Sequence, residues 1–116
     1  MKRLVLLLLL VATLAWAQQP APPPAQPRIV EISAKRFEYS PNVVTLRHGE
    51  PVTIQLTALD RAHGLLVKPL GIDLDADRGD PDQITITPKA AGTFPAICDH
   101  YCGMGHGNMK MTFLVE

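Results

Sequence analysis

Between Arg28 and Glu116 the apolar residues come in short runs, several with strict alternation, and no stretch carries a convincing 3.6-residue period. That pattern argues against helical bundles and βαβ layers and leaves a chain of short strands. Ile29-Val30-Glu31-Ile32 opens the series, and Val43-Val44-Thr45-Leu46 follows the turn signal Ser40-Pro41-Asn42. Val52, Ile54, Leu56 and Ala58 alternate with polar residues, as a half-buried strand requires. Leu65-Leu66-Val67, Ile84/Ile86 and Phe94/Ile97 add three more runs. A last strand sets Met109, Met111, Phe113 and Val115 on one face, with Lys110, Thr112 and Glu116 on the other. About seven short strands at this spacing predict an all-β fold, a β-sandwich. The core of about 90 residues is modest, so a bound metal would add useful stability.

The segment before Arg28 reads differently. Lys2 and Arg3 precede an apolar run from Leu4 to Leu14 and then Ala15-Trp16-Ala17. A basic start, an apolar centre and an A-x-A site predict a secretory signal peptide over residues 1–17. The run is shorter than the roughly 20 apolar residues of a membrane span, although an uncleaved anchor stays open as an alternative. Export to the periplasm or beyond is therefore expected, with no membrane span in the mature chain. Residues 18–27, Gln-Gln-Pro-Ala-Pro-Pro-Pro-Ala-Gln-Pro, form a Pro-rich linker, and residues 28–116 form the single domain. Acidic and basic residues balance at 11 each. Such a balance gives no field for nucleic acid or anionic lipid.

Chemistry concentrates in Cys98-Asp-His-Tyr-Cys102-Gly-Met-Gly-His106-Gly-Asn-Met109. Two thiols, an imidazole and a thioether fall at C-x3-C-x3-H-x2-M spacing, and His63 stands upstream in Ala62-His63-Gly64-Leu65. Soft sulfur with imidazole selects copper, zinc or iron–sulfur chemistry over hard cations. Gly103, Gly105 and Gly107 let the loop turn tightly between two strands. Other readings remain open at this point. An exported pair of cysteines is commonly a disulfide, but a bridge leaves His106 and Met109 unexplained. His63, Cys98, Cys102 and His106 make a Cys2His2 zinc set, which has no use for Met109.

The same residues resemble the CuA domain of cytochrome c oxidase subunit II, and nitrous oxide reductase carries a similar domain. The resemblance runs from about Phe37 to Glu116 and includes Ser40-Pro41-Asn42. It implies a cupredoxin-like Greek-key β-sandwich holding two copper ions. By that resemblance Cys98 and Cys102 bridge the two coppers, His63 and His106 each bind one, and Met109 is a weak axial ligand beside His63. The backbone carbonyl of His100 is the corresponding weak ligand on the other copper. The implied activity is one-electron transfer with a redox protein partner, a cytochrome c or an oxidase subunit, and not an enzyme reaction by the domain alone. Two departures are visible. The position of His100 is often acidic in oxidase subunits, and Trp16, the only tryptophan, lies in the leader. A copper carrier or assembly factor for an oxidase is the alternative function. It needs fewer ligands than this set supplies.

Three remaining features carry less. Met104 is expected to pack, and His48 in Arg47-His48-Gly49-Glu50 is expected in a solvated turn. The acidic stretch from Asp73 to Asp82 fails as an EF-hand, since Arg78 and Ile84 stand where Gly and Glu are needed. A solvated loop is expected there, with its charge available to a basic redox partner.

Overall fold

The computed structural model describes residues 26–99 and 109–116. The expected signal peptide, nearly all of the linker, and His100, Tyr101, Cys102 and His106 lie outside the described residues. Among the described residues, no helix is long and apolar enough to cross a membrane.

Among the described residues nine strands form: β1 Arg28–Lys35, β2 Glu38–Ser40, β3 Val43–Leu46, β4 Val52–Ala58, β5 His63–Val67, β6 Ile72–Ala76, β7 Asp82–Ile86, β8 Gly92–Ile97 and β9 Lys110–Val115. They make a four-stranded sheet, β2-β1-β4-β7, and a five-stranded sheet, β3-β9-β8-β5-β6. The chain changes sheet repeatedly, so β1 pairs in parallel with β4 and β3 pairs in parallel with β9. This is an all-β sandwich of two sheets.

Alternation dictates which residues fill it. In β4, Val52, Ile54, Leu56 and Ala58 are buried as expected, and in β9 Met111, Phe113 and Val115 point inward while Lys110 and Leu114 face out. Met109, just before β9, continues the inward series and is fully buried. In β8 the inward set is Phe94 and Ala96, with Ile97 exposed, and Cys98 follows in the same alternation as a buried residue. Period two therefore carries Cys98 and Met109 to the inner side at the same end of the β8–β9 pair, where Ile97 lies opposite Lys110.

The acidic stretch corrects one expectation. Residues 72–76 form β6 and not a solvated loop: Ile72, Leu74 and Ala76 are buried, and only Asp73 and Asp75 face water. Alternating aspartates hide the strand signal, because Asp is depleted in strands on average while tolerated on a solvated face. They also suit the position, since β6 is the edge of its sheet and charge discourages edge pairing. β6 returns beside β5 after a 3-10 turn, Lys68–Leu70, capped by Gly71 at φ 70°. That left-handed backbone suits glycine.

One further element was not expected from the sequence. β2 spans only three residues, and Tyr39 at its centre is buried. His48 does sit in an exposed turn, but its Nδ1 and its backbone N–H both donate to the Glu116 carbonyl, at 2.7 and 2.8 Å, tying that turn to the end of β9.

If β6 is a packed strand, Leu74→Ala should cost about 2–5 kcal/mol of unfolding free energy in urea titrations. Asp73→Ala should change it by less than about 0.5 kcal/mol. A loop would leave both variants near wild type.

Candidate metal centre

His63 opens β5 and is fully buried, an unusual place for an imidazole unless both ring nitrogens are used. β5 lies between β6 and β8, and its register sets His63 opposite Ala76, Leu65 opposite Leu74 and Val67 opposite Ile72. The residues flanking His63 on its own face are thus apolar, and the ring is held in a dry wall.

Asp60, three residues earlier in the β4–β5 turn, takes one ring nitrogen. Its Oδ1 lies 2.6 Å from His63 Nε2. The same carboxylate accepts the backbone N–H of Arg36 at 2.8 Å and that of Arg61 at 2.8 Å. Desolvation pushes the Asp60 pKa up, but the bonds from Arg36, His63 and Arg61 and the charge interaction with His63 outweigh it, bringing it to about 2. Asp60 is therefore a carboxylate at neutral pH and can only accept, so His63 Nε2 carries the proton. In the neutral ring this leaves the Nδ1 lone pair open. Nδ1 is buried and has no hydrogen-bond partner among the described residues. A buried acceptor left in that state is costly, and a carboxylate on the opposite nitrogen is the arrangement that metal-ligating histidines commonly have.

Cys98 and Met109 complete the described part of the site. The Cys98 sulfur lies 3.5 Å from the backbone nitrogen of Gly64, the residue after His63, so thiol and imidazole share one end of the sandwich. Met109 is fully buried there, immediately before the strand paired with β8. Cys98 is disulfide-bonded; Cys102, the other cysteine of the chain, lies outside the described residues. In that oxidised form the sulfur is no metal ligand, and binding would need the dithiol. The structure thus brings His63, Cys98 and Met109 to one end of the sandwich, whereas His100, Cys102 and His106 fall outside the described residues.

Sequence reasoning missed Asp60. The signal was present in Asp60-Arg-Ala-His63, an acid three residues before the imidazole, but a surface turn explains such an acid equally well. The carboxylates of Asp73, Asp75 and Asp99 also approach one another within 4.8 Å on the exposed face beside Cys98.

Comparison with known proteins agrees with this architecture. A family described as the cupredoxin-like domain matches residues 5–115. The chain belongs to the cupredoxin-like domain family. Within it, cytochrome c oxidase subunit 2 of Thermus thermophilus is 32% identical over 87 residues, which are 75% of this chain and 64% of that protein. The chain thus spans somewhat less than two thirds of that relative. Two solved structures share the fold. The periplasmic domain of cytochrome oxidase subunit II from Bradyrhizobium japonicum superposes with a TM-score of 0.70 at 16% identity, covering 77% of this chain and 83% of that one. The other is a mixed-disulfide intermediate between a thioredoxin-like protein and subunit II of cytochrome c oxidase. It gives a TM-score of 0.67 at 16% identity, covering 83% of this chain and 86% of that one.

The Asp60 bond makes a direct prediction for the metal-free protein. At mildly alkaline pH, long-range 1H–15N spectra should find His63 as the Nε2–H tautomer, and Asp60→Ala should mix in the Nδ1–H form. Unchanged tautomer populations in the variant would mean that the carboxylate does not orient the ring.

Proposed function

We propose that this chain is a periplasmic electron-transfer protein with a dinuclear copper centre of the CuA type. Its ligands would be His63, Cys98, Cys102, His106 and Met109, with the backbone carbonyl of His100 as a weak axial donor. The observation that carries the reading is the fully buried His63. Its Nε2 is held by Asp60 and its Nδ1 has no partner among the described residues, at the same end of the sandwich as a buried cysteine and a buried methionine. The donor set fits copper. Imidazole and thiolate suit zinc equally, but the thioether gains a role only with the softer metal.

When bound, the copper pair supplies a one-electron couple shared over two ions. The residues do the rest. His63 would arrive in a fixed tautomer, because its carboxylate partner is itself held by Arg36 and Arg61. β8 and β9 would pin both ends of the ligand loop, so little ordering is left for metal binding. Buried Leu65 and Phe113 help keep the sandwich interior dry, and low solvent access limits reorganisation and tunes potential. The proposed partner is a redox protein, a cytochrome c or an oxidase subunit, and the 32% identity to oxidase subunit 2 supports that choice. Export would rest on the leader at residues 1–17.

Opening the Cys98 disulfide needs two electrons and two protons from a dithiol donor. A thioredoxin-like protein is the proposed donor, in line with the mixed disulfide known for an oxidase subunit II.

The deciding experiment is an electron paramagnetic resonance spectrum after reduction and anaerobic copper loading, with the copper counted. Two coppers per chain sharing one unpaired electron give a denser hyperfine pattern than a single copper. A single-copper pattern, or rapid handover of copper to an acceptor apoprotein, would favour the carrier function instead. Cys98→Ser should abolish the shared-electron pattern, and an intact pattern would remove Cys98 as a bridge. Met109→Leu should retain copper and shift the reduction potential, since axial ligands set it; an unchanged potential would remove Met109 from the ligand set.

A further inference from the structure

Tyr39 sits on β2, in the sheet opposite β5, and is buried. Its hydroxyl crosses the sandwich and donates to the Gly64 carbonyl at 2.5 Å. Burial, and then the negative charge of Asp99, push the phenol pKa well above its usual value, so the hydroxyl keeps its proton. The N–H of the same glycine points at the Cys98 sulfur. Gly64 therefore has one polar group tied to the opposite sheet and the other aimed at a proposed metal ligand.

The local ladder explains why such a tie is needed. Among the described residues, the registered β5–β8 pair is Leu66 opposite Ile97, two residues beyond Gly64. Gly64 lies opposite Asp75 of β6, and on the β8 side its described neighbours are the Tyr39 hydroxyl and the Cys98 sulfur. A glycine has the greatest backbone freedom of any residue, so an untied carbonyl would leave the β8-facing groups of Gly64 held from the β6 side alone. Rotation would swing the N–H off the sulfur.

We propose that Tyr39 is a positioning residue for the metal centre: by holding the Gly64 carbonyl it keeps the Gly64 N–H on the Cys98 sulfur. This rests on the copper reading for its consequence and on the geometry alone for the tie. An amide hydrogen bond withdraws charge from a coordinated thiolate, which favours the reduced metal and raises the reduction potential. Losing it should lower the potential without removing a ligand.

The test uses the full chain after the leader, with Tyr39→Phe set against Thr53→Val. The second variant removes a half-buried hydroxyl pair, Thr53 to Thr85 at 2.8 Å, on the β4–β7 pair of the opposite sheet. It therefore reports general softening. In metal-free protein, Tyr39→Phe should speed hydrogen exchange of the Gly64 amide by roughly tenfold. In copper-loaded protein it should keep the copper count and lower the reduction potential. Thr53→Val should do neither. Unchanged Gly64 exchange, an unchanged potential at full copper loading, or an equal effect from Thr53→Val would overturn the proposal. If the wild type takes up no copper, the copper reading fails, while Gly64 exchange still decides whether the tie exists. Should Tyr39→Phe not fold, the wild-type hydroxyl proton decides: slow exchange supports the bond to Gly64, and rapid exchange overturns it.

Discussion

The register of β5 against β6 is the constraint on which the site depends. His63, Leu65 and Val67 face Ala76, Leu74 and Ile72, all of them buried. A slip of one residue would turn every one of these side chains to the other face of the sheet. It would expose Leu65 and Val67 to water and carry His63 out of the interior. The apolar pairs that stabilise the strand therefore also fix the imidazole. Fold stability and site geometry are here one and the same pattern.

A buried imidazole still needs an orientation, and this comes from the turn before the strand. Asp60 accepts from two backbone amides as well as from the ring, which offsets the cost of holding a carboxylate against a buried group. The chain thereby prepares one ring nitrogen and leaves the other open before any metal arrives. Preparing the ligand during folding moves the ordering cost out of the binding step. The Cys98 sulfur sits beside the next residue of the same strand, so the two donors share a rigid mount.

The thiol chemistry adds a condition to that preparation. In its disulfide state the sandwich is complete, with Cys98 buried and continuing the inward alternation of β8. On the proposed copper reading, loading would first require the dithiol form of Cys98.

Much of this was legible from residues alone. The alternation of β4 and β9 gave their inward faces, because one side of each is apolar without exception. The C-x3-C-x3-H-x2-M spacing marked the metal chemistry, since no packing rule asks for those side chains together. β6 was illegible as a strand because Asp73 and Asp75 mask its alternation, and β2 was too short to show a period. Asp60 and Tyr39 were illegible for a different reason. Their partners lie on a ring nitrogen and on a glycine carbonyl, and sequence does not record which acceptor a side chain will reach. By itself the sequence determined the strand-rich class and the inward faces, through periodicity. Only the tertiary structure decided which nitrogen of His63 stays open and what holds Gly64 against the sulfur. Those depend on contacts across a turn and between two sheets that no local pattern encodes.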